Sequence, residues 1–412
     1  MPMLRCVCGA ARWLLPLLLL LVGSTSKAAS ALLPAPAGLL PQRGPVAAAA
    51  DGWLLGAEMA DFSAVDATPA RAFAGDWAGY QPRNGRNLAL QSSHAAFSAT
   101  RQHWELAATL RSGILIDGSR GAFDAVFAYK QRSTPADGSR LVVDVQAQGL
   151  LWAGLRGART WSLAAAGAPG LQLTAAASLL SVRRLQQDAA QGVVAYSAAG
   201  GYAFDAGTLR QDSRRSFGGD GPPQSSGSGF STDLGLHWQP ASGWMAGGFA
   251  TLSAVDVLSR LRVQGVATEQ TTLSSATRST DADGYLDYKP LALGRYSTSN
   301  LRLQASRKWS ATLGVAPAAL GASGLAGLLG PGALLGARWE RLGTLNLPAL
   351  WATLPLPVLP AGLALQLDAD ARFHTLGFGL AGRHGVLLLR SQSLRVGQSR
   401  AVGWQARLEL PL

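Results

Sequence analysis

The stretch VGWQARLELPL, residues 402–412, closes the 412-residue chain. Val402, Trp404, Ala406, Leu408, Leu410 and Leu412 are apolar, with Gly403, Gln405, Arg407, Glu409 and Pro411 between them. A helix scatters such a set around its axis, whereas a strand places every second residue on one face. The segment therefore reads as a strand with one apolar and one polar side.

The same period runs back through the chain. Trp104, Leu106, Ala108 and Leu110 alternate with Glu105, Thr109 and Arg111. Leu141, Val143 and Val145 alternate with Asp144 and Gln146, and Leu234, Leu236 and Trp238 with Asp233 and His237. Leu301 and Leu303 flank Arg302, and Leu363, Leu365 and Leu367 oppose Gln366 and Asp368. Phe123, Ala125, Phe127 and Tyr129 alternate with Asp124 and Lys130 and are expected to form a strand as well. Turn signals such as Asn84-Gly85, Asp117-Gly118 and Asp137-Gly138 separate the segments. Trp238 and Trp244 flank another, as an interfacial aromatic girdle would. Residues 211–230 and 264–284 are polar and read as long exposed loops, and the uncharged stretch 311–337 reads as short strands joined by turns.

Composition says where such strands live. The chain is 48% hydrophobic and only 15% charged, against about 25% charged in a typical soluble domain. It has no unbroken run of about 20 apolar residues to make a spanning helix. An all-β, single antiparallel transmembrane β-barrel resolves the combination, because its apolar residues are spread as every second residue. The length predicts about 14 strands, within about 12 to 18, and an even number. Lipid offers no hydrogen-bond partner, so the sheet must close and the first strand, near residues 53–63, must pair with the last.

The terminal strand resembles the C-terminal signal of bacterial outer-membrane β-barrel proteins, which usually ends on Phe or Trp with apolar residues at every second place upstream. Trp404, Leu408, Leu410 and Leu412 fill those places here, with Leu412 departing from the aromatic ending. The resemblance covers residues 51–412 as a pattern, not as a match to one family. It implies a bacterial outer-membrane location, with outer-membrane lipid and the barrel-assembly machinery as partners, and a monomer is expected.

If the apolar parity faces lipid, the other parity lines the lumen. The charged residues expected there are Glu105, Arg111, Asp124, Asp144, Asp233, Arg302, Arg338, Glu340, Asp368, Arg372 and Arg407, with Lys130, Lys308, Asp370 and Glu409 beside them. Acids and bases nearly balance, so the wall either knits itself into ion pairs or lines a weakly selective pore. The function expected is a non-enzymatic channel or passive transport protein. The alternatives are a structural or surface-interaction barrel that binds through its loops, and last an outer-membrane enzyme using His237 and Asp233.

The start of the chain carries an address. Arg5 and Arg12 precede the apolar run 13–22, and an A-x-A pattern ends at Ala31. Residues 1–31 read as a secretory signal peptide and 32–50 as a Pro/Ala-rich lead-in. Removing 1–31 takes Arg5, Arg12 and Lys27 and lowers the net charge from +12 to +9. It also takes Cys6 and Cys8, leaving no thiol for a disulfide, catalysis or zinc. The basic residues form no run longer than two, so nucleic acid is not expected as a partner. His94, His103, His237, His374 and His384 fall in no paired ligand spacing, and no nucleophile elbow or phosphate loop is present, so neither metal nor cofactor is expected.

Overall fold

The computed structural model describes residues 52–412 except 165–169, 216–224, 241–246, 281–285, 289, 318–323, 325–328, 331, 343–344, 357–362 and 383. The signal peptide, the lead-in and Trp244 lie outside the described residues.

The strands are β1 (Trp53–Val65), β2 (Arg86–Arg101), β3 (Trp104–Ser119), β4 (Ser139–Ser162), β5 (Leu171–Ser197), β6 (Gly201–Asp212), β7 (Ser226–Trp238) and β8 (Phe249–Ser274). A small hairpin, β9 (Arg278–Thr280) and β10 (Leu286–Tyr288), follows. Then come β11 (Ala292–Leu303), β12 (Lys308–Val315), β13 (Leu334–Leu342), β14 (Leu345–Pro355), β15 (Ala364–Asp370), β16 (Thr375–Gly382), β17 (Gly385–Ser391) and β18 (Ala401–Pro411). Sixteen of these form one antiparallel sheet. β6 and β7 both lie between β5 and β8, and β11 and β12 both lie along β8, so each couple is one interrupted stave. The ring therefore has 14 staves. It closes where β1 meets β18, from Leu54 opposite Pro411 to Ala64 opposite Ala401. No edge is left at the seam, as a sheet in hydrocarbon requires.

An even stave count puts both barrel ends on one rim. The longest connections among the described residues of β1–β4, 66–85 and 120–138, lie on the opposite rim, which is therefore extracellular. At the periplasmic rim Trp53, Trp104, Trp161 and Trp238 stand partly exposed at strand ends. Arg101 lies over Trp53 at 5.6 Å, and Arg159 over Trp104 at 4.9 Å. Indole rings at a water–lipid boundary, with cations on their faces, make an interfacial girdle. Between the rims the outer wall is apolar: Leu106, Leu155, Leu179 and Leu350 are each about two-thirds exposed or more, at 67%, 63%, 72% and 67%. This is a β-barrel of the bacterial outer membrane.

The wall is uneven in height. β4, β5 and β8 have 24, 27 and 26 residues, whereas β15, β16 and β17 have 7, 8 and 7. At about 3.3 Å per residue the short staves are ~23 Å long and the longest ~90 Å. The excess projects beyond the extracellular rim as a sheet of β4, β5, β6, β8 and β11. This corrects the expected loops 211–230 and 264–284: 211–212 end β6, 226–230 begin β7 and 264–274 end β8, while 216–224 lie outside the described residues. The stretch 311–337 holds the end of β12 and the start of β13, and most of the residues between are not described.

One expected strand is a helix, α1 (Arg120–Gln131). Ser119 caps it: its Oγ accepts from the Ala122 amide at 3.2 Å and donates to the Val142 carbonyl at 2.7 Å. Phe123 and Phe127 alternate with polar residues, but they are also four apart and so share a helix face. That face meets the 66–85 connection, where Tyr80 stacks on Phe127 at 4.3 Å and donates to Asp124 at 2.7 Å. Burial and the adjacent carboxylate push the Tyr80 phenol above its ordinary range. Phe123 packs with Val65, Ala89 and Ile116, which have outward parity, so α1 covers the outside of the wall. Asp117-Gly118 is likewise not a turn but the end of β3. A Cβ at Gly118 would meet Phe123 and Val145 at 3.1 Å, so the glycine admits the helix.

Candidate functional site: the charged lumen

Inward residues follow from the alternation. On β13 and β15 these are Arg338 and Glu340, and Gln366, Asp368 and Asp370. Arg338, Glu340 and Asp368 join a chain of ion pairs that runs from β12 to β17. Lys308 Nζ is 3.3 Å from Glu340, and Arg338 bridges Glu340 at 3.3 Å and Asp368 at 3.1 Å. Arg390 reaches Asp368 at 2.6 Å. Lys308 and Glu340 side chains are each 1% exposed. Charges so fully removed from water persist only when paired.

A second cluster lies across β3, β4, β7 and β8. Arg156 joins Glu105 at 2.8 Å and Asp233 at 3.1 Å. The Asp256 amide donates to Asp233 at 3.0 Å, and Arg111 lies 3.6 Å from Asp256. Asp256 sits where the β7–β8 register slips, with a left-handed φ of 56°. The extra residues of this bulge turn its carboxylate into the bore. A third group joins Gln405 to Glu58 at 2.9 Å and pairs Arg407 with Glu409. These groups hold six cations and seven carboxylates, a nearly neutral interior.

Large side chains in the bore lie over glycines. One row of cross-strand neighbours runs Phe249, Gly314, Gly336, Trp351, Asp368, Gly377, Arg390, Gly403, Phe62. A Cβ at Gly336 would fall 2.4 Å from the Trp351 ring, and one at Gly377 3.1 Å from both Arg390 and Asp368. Alternation of small and large residues lets the filling interlock. Phe62, Leu90, Leu345, Leu347 and Phe373 form one apolar cluster inside the barrel towards its extracellular end. Trp152, Leu180, Val182, Leu261 and Val263 form another. A polar cavity of about 170 Å³ remains under the second charge cluster. Glu58, His94, Arg111, Arg156, Asp233 and His237 line it, and it reaches the periplasmic turn at Gln102 and His103.

Of the residues expected in the lumen, the structure brings Glu105, Arg111 and Asp233 into one cluster and Arg338, Glu340 and Asp368 into another. Four stand elsewhere. Asp124 is on α1, outside the wall, beside Tyr80 and Arg120. Asp144 is half-buried high on β4, where Arg86 holds it at 2.7 Å. Arg372 is in the 371–374 turn, paired with Asp66 at 2.8 Å. Arg302 is exposed on the outer face, because its neighbours Leu301 and Leu303 pack inward against the second apolar cluster. Sequence reading missed Glu58, Arg156, Asp256 and Arg390. Asp256 carries no periodic signal because a bulge aims it, and Arg390 ends an apolar run whose parity is unreadable. Asp233 and His237 both turn inward, but Asp233 is held by Arg156 and His237 Nδ1 bonds Thr251 Oγ1 at 2.9 Å. On β18, Trp404, Leu408 and Leu410 have outward parity, and the Leu412 amide donates to the Trp53 carbonyl at 2.8 Å.

No family model matches the chain, and no curated protein matches it. Solved structures do. The translocator domain of autotransporter NalP from Neisseria meningitidis matches with a TM-score of 0.29 and 10% identity, over 88% of this chain and 89% of that one. A Pseudomonas aeruginosa FadL homologue gives 0.28 and 9%, over 88% and 90%. The outer-membrane protease OmpT from Escherichia coli gives 0.22 and 8%, over 89% and 99%. Values this low carry no inference about activity.

Proposed function

We propose that this protein is a monomeric, non-enzymatic transport barrel whose bore is held shut at rest by its own ion-paired side chains. The observation that supports this most is the band of buried, mutually paired charges that crosses the lumen beside its two apolar clusters. Each buried charge carries a desolvation cost that an apolar filling avoids. Paired side chains can swing apart and rehydrate, which a packed apolar core does not do without unfolding. The polar cavity that reaches the periplasmic turn is the part of such a path that is already open. Outward Trp404, Leu408 and Leu410, with Leu412, are the features by which the barrel-assembly machinery would take up the chain.

Planar-bilayer recordings test the reading. The wild type is expected to give rare, small conductance steps, and the double variant Asp368→Ala/Arg390→Ala larger and more frequent ones. Silence from both, with heat-modifiable migration intact, would overturn it. The projecting sheet favours a second reading, a surface-interaction barrel. Trimming the distal ends of β8 and β11 with the β9–β10 hairpin would then abolish cell-surface adhesion and leave conductance unchanged.

A further inference from the structure

We infer that the outer wall carries a binding site for a phosphorylated lipid headgroup, built on Arg262 and Arg302. The two residues are directly opposite each other on β8 and β11. Both are exposed, while their neighbours Leu261, Val263, Leu301 and Leu303 pack inside, so both guanidinium-bearing side chains leave the wall on its outer face. Like charges directly opposite in an antiparallel pair repel. Among the described residues neither is held in an ion pair, and the same is true of Arg260 one step below. The register places Ser228 beside Arg262, and Ser181 beside Ser228. The row Ser181, Ser228, Arg262, Arg302 thus offers two hydroxyls and two guanidiniums and no carboxylate. An anion facing both arginines removes the repulsion and accepts from donors of fixed geometry, which suits a phosphate.

The height of this row identifies the source of the phosphate. Ser228 and Trp238 are ten residues apart on β7, and Trp238 belongs to the periplasmic girdle. Ten residues span ~33 Å along a strand, or about 25 Å along the membrane normal at the tilt of such barrels. That equals the height of the apolar band, about 25 Å, so the row lies at the headgroups of the outer leaflet. Beneath it Leu179 and Phe230, in the row of Arg260, and Leu258 one row lower are exposed at 72%, 45% and 63%. A phosphate above and acyl chains below match an anionic lipid seated against the wall. The inference rests on the barrel and its location and not on transport.

Native mass spectrometry of the detergent-purified barrel tests it, with phosphatidic acid, diacylglycerol and inorganic phosphate as probes. The wild type is expected to retain phosphatidic acid and neither of the others. Arg262→Gln/Arg302→Gln should lower retention about tenfold or more, the scale of lost charge-assisted hydrogen bonds. Arg262→Lys/Arg302→Lys should retain more than the glutamine pair, and Arg140→Gln, high on β4, should match the wild type. Folding of each variant is verified by heat-modifiable migration. Equal retention by the glutamine variant and the wild type would overturn the site. Equal binding of diacylglycerol would reduce it to an apolar surface, and equal binding of inorganic phosphate would reduce it to a bare anion site; either result also overturns the inference.

Discussion

Gly336 and Glu340, two turns of the pleat apart on β13, set the two rules of the interior. At Gly336 a Cβ would fall 2.1 Å from the Leu313 carbonyl oxygen and 2.4 Å from the Trp351 ring, so nothing larger than hydrogen fits without displacing both. Gly336→Ala is expected to lower stability by ~1–3 kcal/mol, the usual range for an overpacked core, with a blue- or red-shifted Trp emission marking the displaced indole. Urea titration in detergent measures it. Glu340 faces Lys308 and Arg338 with almost no water. Glu340→Met leaves two cations without that carboxylate and should cost ~3–5 kcal/mol. Lys308→Met added to it should recover most of the loss, because an apolar pair of similar volume replaces a buried ion pair at little cost. A double variant no more stable than the single would refute the pairing.

Among the elements, α1 is held by a cap at its start and by the face it packs against the 66–85 connection. Loss of the Ser119 hydroxyl in Ser119→Ala removes the cap on Ala122 and the bond to Val142, at about 1 kcal/mol. Limited proteolysis should then cut within 120–138 faster, with the barrel itself still resistant. The helix also shows what the sequence hides. Phe123, Ala125, Phe127 and Tyr129 satisfy period 2, while Phe123 and Phe127 also satisfy a helix, and the contacts that decide come from Tyr80, some forty residues away. β18 is the opposite case. From Val402 onward its residues alternate without a break, and its partner β1 lies close to where closure requires it. Parity was legible wherever one face meets lipid and the other meets charge. It failed at β11, where the inner face is apolar and the outer face basic, and at Asp256, where a bulge resets the count. Leu412→Phe restores an aromatic end to β18 and is expected to speed barrel assembly, followed by the appearance of heat-resistant folded protein after a pulse of synthesis.

For the molecule as a whole, closure of the ring and the filling of its bore are separable. At the seam between β1 and β18 the charged groups are Glu58, which accepts from Gln405, and the Arg407–Glu409 pair. Deleting residues 408–412 removes the pairs from Ala57 to Leu54 and should abolish heat-modifiable migration altogether. Emptying the charge chain should leave that migration intact and change conductance alone. The unequal staves carry one more consequence. A rim of some seven residues on one side faces a palisade nearly four times as long on the other, so the mouth is a slanted notch and not a circular port. Whatever arrives from outside the cell meets a screen over five of the 14 staves and a low threshold at β15, β16 and β17, which gives the barrel a front and a back on the bacterial surface.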